Sequence, residues 1–193
     1  MKALFACESS GKGRRAFRKA GIDAYSCDLL DADDGETKYH IKADIRTLNL
    51  SVYDFMFAMP TCTRLCVSGA RWFSKYKQEQ EEAIKFFMFF VYAPVKKKAI
   101  ENPIGIMSSV YRKPDQIIQP WQFGHGETKA TCLWLSNLPK LVPTNIVVGR
   151  EARIHKMPPS PDRWKKRSES YDGIMSAMAE QWGLPDQTKG ETK

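Results

Sequence analysis

A chain of 193 residues, 42% of them hydrophobic, can build one domain core but has no room for a second domain of similar size, which excludes a disordered or multidomain protein. Its formal charge of +8 favours a polyanionic partner, with nucleic acid ahead of a membrane surface. Five cysteines (Cys7, Cys27, Cys62, Cys66, Cys132) without paired spacing, and no export-type leader, exclude a disulfide framework and predict a reduced, cytoplasmic protein.

In chain order, Ala3 to Cys7 reads as a first strand, followed by the small-residue loop Glu8-Ser9-Ser10-Gly11-Lys12-Gly13 and a helix over Arg14 to Ala20 closed by Gly21. Ile22 to Cys27 alternates like a second strand and ends at Asp28, where a carboxylate can accept both ribose hydroxyls or simply face solvent. Asp31, Asp33 and Asp34 with Gly35 read as a solvated turn, and Ile41 to Ile45 as a short strand carrying Asp44. The apolar run Val52 to Ala58 predicts a buried strand, broken by Pro60 and Thr61 so that Cys62 stands at its carboxyl end, where open α/β sheets bind ligands. Cys62 there is either a nucleophile or packing.

Beyond it, Ser68-Gly69-Ala70-Arg71-Trp72 suits a mobile loop closing over an extruded base, although Trp72 also suits a core anchor. Glu79 to Phe90 predicts a helix with an acidic first turn and sheet-packing aromatics. The run Ile84 to Ala93, interrupted by Lys85, is too short to span a membrane. Lys96-Lys97-Lys98 reads as a solvated connection or a phosphate contact before a strand ending in Glu101-Asn102-Pro103. In one parallel sheet, two such strand ends bring Cys62 and Glu101 to the same edge. Tyr111 to Trp121, with Pro114 and Pro120, reads as a crossing loop, and Thr131 to Leu135 as a strand. Residues 140–170 hold eight Lys/Arg against three acids, including Arg163, Lys165 and Lys166 around Trp164, a residue that either stacks on a base or caps the fold. Tyr171 to Trp182 predicts a helix stopped by Gly183, and Pro185 to Lys193 a polar tail.

Pro60-Thr61-Cys62, Leu65-Cys66-Val67-Ser68-Gly69 and Glu101-Asn102-Pro103, in that order, resemble the Pro-Pro-Cys, Phe-Ser-x-x-Gly-like and Glu-Asn-Val signatures of the cytosine-C5 DNA methyltransferases. The chain is also similar to the short, phage-encoded members of that group. Phe5-Ala6 matches the opening of the family's Phe-Ala-Gly-x-Gly-Gly, with Cys7, Ser9 and Ser10 in place of glycines; Thr61 replaces a proline and Pro103 a valine.

The resemblance implies an α/β, Rossmann-like S-adenosylmethionine-dependent methyltransferase fold, a mostly parallel sheet flanked by helices. It implies one domain over residues 1–184, with the basic segment 140–170 in place of a large target-recognition region and a tail at 185–193. It implies catalysis by Cys62, Glu101, Asn102 and Lys129. Cofactor contacts would come from Phe5, Glu8, Ser9, Asp28, Asp44 and Pro60, and nucleic-acid contacts from Arg64, Ser68, Arg71, Arg163, Lys165 and Lys166. The implied partner is cytosine-containing DNA, the base flipped if duplex.

Three alternatives differ in class. RNA or a free cytosine nucleotide could be the acceptor, as the reduced recognition region suggests, or the chain could be a degenerate, non-catalytic nucleic-acid binder. A zinc deaminase is disfavoured, because His125-Gly126-Glu127 lacks the following Pro-Cys-x-x-Cys, so no metal is called for.

Overall fold

The computed structural model describes residues 1–183; the tail expected at 185–193 lies outside the described residues. One sheet contains β1 (Lys2–Ala6), β2 (Asp23–Asp28), β3 (His40–Lys42), β4 (Phe55–Ala58), β5 (Lys97–Pro103), β6 (Gln116–Ile118) and β7 (Thr131–Ser136), in the order β3-β2-β1-β4-β5-β7-β6. The pairs from β3 through β5 are parallel, whereas β7 runs antiparallel to both β5 and β6. The helices are α1 (Lys12–Lys19), α2 (Lys77–Tyr92), α3 (Met107–Val110), α4 (Arg153–Lys156), α5 (Arg163–Ser168) and α6 (Asp172–Trp182). Among the described residues, no helix is long and apolar enough to cross a membrane.

Both faces of the central strands are covered, which is why β1 and β4 read as unbroken apolar runs. Side chains alternate across the sheet. Phe5, Phe55 and Phe57 meet Phe17 of α1 and Ile174, Met178 and Trp182 of α6 on one face, while Leu4, Ala6, Met56 and Ala58 meet Phe87 and Phe90 of α2 on the other. Each of these buried aromatics contributes about 2–3 kcal/mol of transfer free energy.

Register then positions the site. Ala6 pairs with both Cys27 and Ala58, and Ala58 pairs with Ile100. The carboxyl ends of β2, β1, β4 and β5 are therefore level, and Asp28, Cys7, Met59 and Glu101 stand in one row. The chain leaves β1 for β2 on one side and returns to β4 on the other, so a crevice opens between the loops after β1 and β4.

Several expectations are corrected. The strand predicted from Val52 begins at Phe55; Asn49 accepts a hydrogen bond from the Ser51 amide at 3.1 Å and folds Leu50–Val52 into a 3-10 turn that leaves Val52 exposed. The predicted crossing loop contains β6, a short strand that pairs with β7. Lys98 is not solvated: its ammonium is buried and donates to the carbonyls of Val91 at 2.6 Å and Ala93 at 2.7 Å, capping α2, and burial lowers its pKa.

The aspartates before Gly35 are structural as well. Asp33 pairs with Lys165 at 2.7 Å, and Asp34 bridges Arg15 and the buried Arg14, the latter at 2.5 Å. Burial pushes the Asp34 carboxyl up, but hydrogen bonds from Arg14 and Arg15 outweigh it and hold the pKa at about 2. A depressed carboxylate stabilises the fold above its ordinary titration range and loses that contribution as pH falls through the folded value. Asp34→Asn is expected to cost about 2 kcal/mol at neutral pH, less than a fully buried pair because Asp34 is partly solvated. In urea titrations its deficit against the wild type should shrink between about pH 4 and pH 2.

Candidate active site

The crevice begins where β1 ends. Cys7 adopts a left-handed conformation (φ 60°), which turns the chain out of the strand and lets the Glu8 amide bond the Cys27 carbonyl at 3.1 Å. Glu8 is only 3% exposed. One of its oxygens, Oε1, accepts from the Lys12 amide at 2.9 Å and from the Ser10 hydroxyl, while Oε2 has no hydrogen-bond partner among the described residues. Burial raises the Glu8 pKa against these donors and the nearby Arg14 and Arg15. Gly11 (φ 68°) opens α1, and a Cβ there would strike Arg14 and Asp34.

Asp28 ends β2, half-buried, with Oδ1 accepting from the Leu30 amide at 3.0 Å. Cys7 lies within electrostatic reach of Asp28 and Asp44, and its pKa is raised by burial first and by those charges second. Asp44 caps the Ile45–Thr47 turn, its carboxylate engaged by the Arg46 amide at 3.0 Å and by the Arg46 guanidinium at 2.5 Å. The Ser9 carbonyl accepts from the Asp33 amide at 2.8 Å. Phe5, one residue before the end of β1, is fully buried and stands edge-on to Phe17.

After β4, the chain is held from two sides. Asn102 donates from Nδ2 to the Pro60 carbonyl at 2.9 Å, tying the end of β5 to the start of the Cys62 loop. Downstream, Val67 N–H bonds Ile104 O at 3.0 Å, Ile106 N–H bonds Leu65 O at 2.9 Å, and Cys66 bridges Gly105. A Cβ on Gly105 would overlap the Leu65 carbonyl, so only glycine fits there.

This lacing holds Cys62 within electrostatic reach of both Glu101 and Lys129. Burial raises the Glu101 pKa, opposed by Lys129; burial lowers that of Lys129, opposed by Glu101 and Cys62. Lys129 donates to the Glu169 carbonyl at 3.0 Å. Glu101, Lys129, Phe57, Ser170 and Tyr171 line a cavity of about 20 Å³, room for one water. Asn102 stands on the opposite sheet face, where Oδ1 is buried without a partner among the described residues.

The basic candidates occupy two separate segments. Arg64 is committed to Glu79 at 2.7 Å and stacks on Tyr76 at 3.9 Å, and Ser68 faces the Cys66 sulfur at 3.0 Å. Arg71 lies over the exposed Trp72 at 5.2 Å, with the Lys75 ammonium 5.7 Å from the same ring. On α5, Lys165 pairs with Asp33, Lys166 with Asp162 at 3.1 Å, and Arg163 bonds the Met157 carbonyl at 2.8 Å; Trp164 is exposed.

Sequence reasoning missed two features. Cys66 lies one turn beyond Cys62, its amide donating to the Cys62 carbonyl at 3.0 Å, for which the four-residue spacing was the available signal. The Glu169–Ser170 backbone also receives both Lys129 and Lys12, the latter at 3.0 Å, and nothing in the local sequence announces that contact.

Neither a protein-family model nor a curated protein sequence matches this chain. Solved structures do. A putative DNA modification methyltransferase encoded within an E. coli prophage superposes with a TM-score of 0.53 at 13% identity, over 76% of this chain and 52% of that one. A Spodoptera frugiperda DNMT2 mutant superposes with a TM-score of 0.50 at 16% identity, over 77% of this chain and 57% of that one. The chain thus spans little more than half the length of either structure. Its mostly parallel sheet flanked by helices is the Rossmann-like fold of S-adenosylmethionine-dependent methyltransferases.

Proposed function

We propose that this chain is a methyltransferase acting on carbon 5 of cytosine in DNA through a covalent Cys62 adduct. The observation that carries the reading is the convergence of Cys62, Glu101 and Lys129 at the sheet edge beside the β1/β4 crevice.

The donor set of the crevice fits S-adenosylmethionine. Asp28 offers a carboxylate at the place where a ribose presents two hydroxyls, and the unpaired oxygen of Glu8 complements the ammonium of the amino-acid end. Asp44, Ser9 and Pro60 would border the same ligand. Bound there, the cofactor would supply an electrophilic methyl group. Carbon 5 of cytosine is a weak nucleophile until a thiolate adds at carbon 6. Cys62 makes that addition, and Glu101, whose pKa burial raises, neutralises the charge that builds at ring N3. Lys129 moderates the field of Glu101, and Asn102 fixes the loop against β5. Loss of the carbon-5 proton then lets Cys62 leave. The cavity at Glu101 is smaller than a pyrimidine, so access for a flipped base requires the Ser168–Tyr171 segment to move.

Cytosine in RNA or in free nucleotides is a second reading, favoured by the short basic segment 140–170. A fluorine at carbon 5 cannot depart as a proton, so 5-fluorocytosine in DNA, RNA or a nucleotide should trap the adduct in the presence of cofactor. Peptide mass spectrometry should find the trapped base on Cys62 with DNA; adduct formation only with RNA or nucleotide moves the assignment to those acceptors, and none with any of the three overturns it.

The exposed Trp72 with Arg71 and Lys75 suits stacking on an unpaired base beside a phosphate. Trp72→Ala is expected to weaken single-stranded DNA binding by about 1–3 kcal/mol, read by fluorescence anisotropy at fixed salt.

A further inference from the structure

The stretch that covers the Glu101 cavity continues directly from α5. Arg163-Trp164-Lys165-Lys166-Arg167-Ser168 places four cations and one large aromatic on less than two helical turns, and none of its described side chains is buried. A surface helix is ordinarily held by an apolar face; α5 has none, so polar contacts hold it. Trp164, 61% exposed, turns away from the fold, which removes its reading as a cap. Lys165 and Ser168, three residues apart, share the inward side: Lys165 pairs with Asp33 at 2.7 Å, and Ser168 lines the cavity with Ser170 and Tyr171. Arg163 bonds the Met157 carbonyl at 2.8 Å, and Lys166 pairs with Asp162 at the surface.

Each hold is one that a phosphate can replace. The Lys165–Asp33 pair is partly solvated and therefore weak. Lys129 and Lys12 give their ammoniums to the neutral carbonyls of Glu169 and Ser170, both at 3.0 Å, with Lys12 also 3.4 Å from the Glu169 carboxylate. A phosphate oxygen is a stronger partner for an ammonium than a carbonyl. Packing resumes at Tyr171, which is buried and donates its hydroxyl to Glu127 at 2.8 Å, and continues through Ile174, Met178 and Trp182. Residues 163–170 can thus swing about Tyr171 without exposing the core.

We propose that α5 is the strand-binding handle of this cover: a single-stranded polynucleotide seated on α5 by its phosphates lifts residues 168–170 away from Glu101, so the acceptor is a cytosine within a strand and not a free nucleotide. This rests on the reading of the Glu101 cavity as the acceptor site. A ligand shifts a conformational equilibrium only by its different affinity for the two states. With the cover closed, Lys165 is committed to Asp33; with it lifted, Lys165 is free for a phosphate, and that difference drives the opening. Trp164 offers its face to a neighbouring base. A lone nucleotide brings one phosphate and no neighbouring base, too little to keep α5 displaced.

The test is alkylation by iodoacetamide of the thiol in Ser170→Cys, on the full chain without cofactor, read by peptide mass spectrometry with a short oligothymidylate as the probe. Saturating oligothymidylate should speed labelling by about fivefold or more, and dCMP at equal phosphate should leave it unchanged. Adding Lys165→Gln should remove the response, weaken binding about fivefold and lower the slope of log affinity against log salt by about 0.7, one phosphate contact on a single strand. Asp33→Asn, which releases Lys165 beforehand, should tighten binding severalfold. Should Ser170→Cys fail to fold by circular dichroism, acetylation of Lys129 in the unsubstituted chain reads the same opening, because the Glu169 carbonyl holds its ammonium. No binding of the oligonucleotide, labelling unchanged or slowed when it binds, an equal rise with dCMP, or binding indifferent to both Lys165→Gln and Asp33→Asn overturns the proposal. The probe contains no cytosine, so a failed fluorocytosine trap alongside this pattern removes the carbon-5 chemistry and leaves the strand-gated cavity, whereas a trapped adduct with unmoved labelling removes the handle alone.

Discussion

Cys62→Ala should abolish methyl transfer, lowering it by at least about 10⁴-fold, because the sulfur that adds to carbon 6 and later departs is gone. The fold should not follow. The Cys62 carbonyl, not its side chain, accepts the Leu65 and Cys66 amides at 2.9 and 3.0 Å, and those bonds survive the substitution. Stability should therefore stay within about 1 kcal/mol of the wild type, and cofactor affinity should be unchanged, since the crevice is built from β1, β2 and β4. Tritium transfer from labelled S-adenosylmethionine to DNA, RNA and dCMP measures the loss. Transfer at the wild-type rate in this variant would rule out the thiol mechanism.

Gly105→Ala is expected to cost about 10²-fold in transfer rate while touching no reacting group. A Cβ at this position overlaps the Leu65 carbonyl and crowds the Cys66 backbone, so either the Cys62 loop or the segment after β5 must shift. Cys62 is carried by the first and Glu101 by the strand feeding the second, and a displacement of about 1 Å between them is enough to spoil alignment. Because backbone meets backbone, no rotamer change relieves the overlap. The signature is a fall in the chemical rate in single-turnover experiments with cofactor affinity intact, accompanied by a lower melting temperature. A variant with wild-type turnover would show that the two segments are not rigidly coupled.

The doubly wound sheet was legible because its central strands are buried on both faces, leaving β1 and β4 as unbroken apolar runs, with Pro60 and Pro103 marking where β4 and β5 end. The same punctuation marked Cys62 and Glu101 as strand-end residues, and the level register of β1, β4 and β5 gathers them at one edge. What escaped depends on partners distant in the chain. Asp33 and Asp34 look like a solvated turn until Lys165, Arg14 and Arg15 are placed against them. Lys98 looks like part of a surface run until α2 ends over its ammonium. β6 has three residues and depends on β7, so no local period could reveal it. Phe5 carries a family signature, and its alternation within β1 sends its side chain under α1, a direction that only the position of α1 decides.

The paired carbonyls of Glu169 and Ser170 have a mechanical meaning. Lys129, beside Glu101, holds the first, and Lys12, at the head of α1, holds the second. Two adjacent peptide units thus pin the chain ahead of α6 at two points, one beside Glu101 and one at the head of α1. Removing either ammonium should therefore loosen that stretch at one point while the other still holds it, so only the double replacement should set it free.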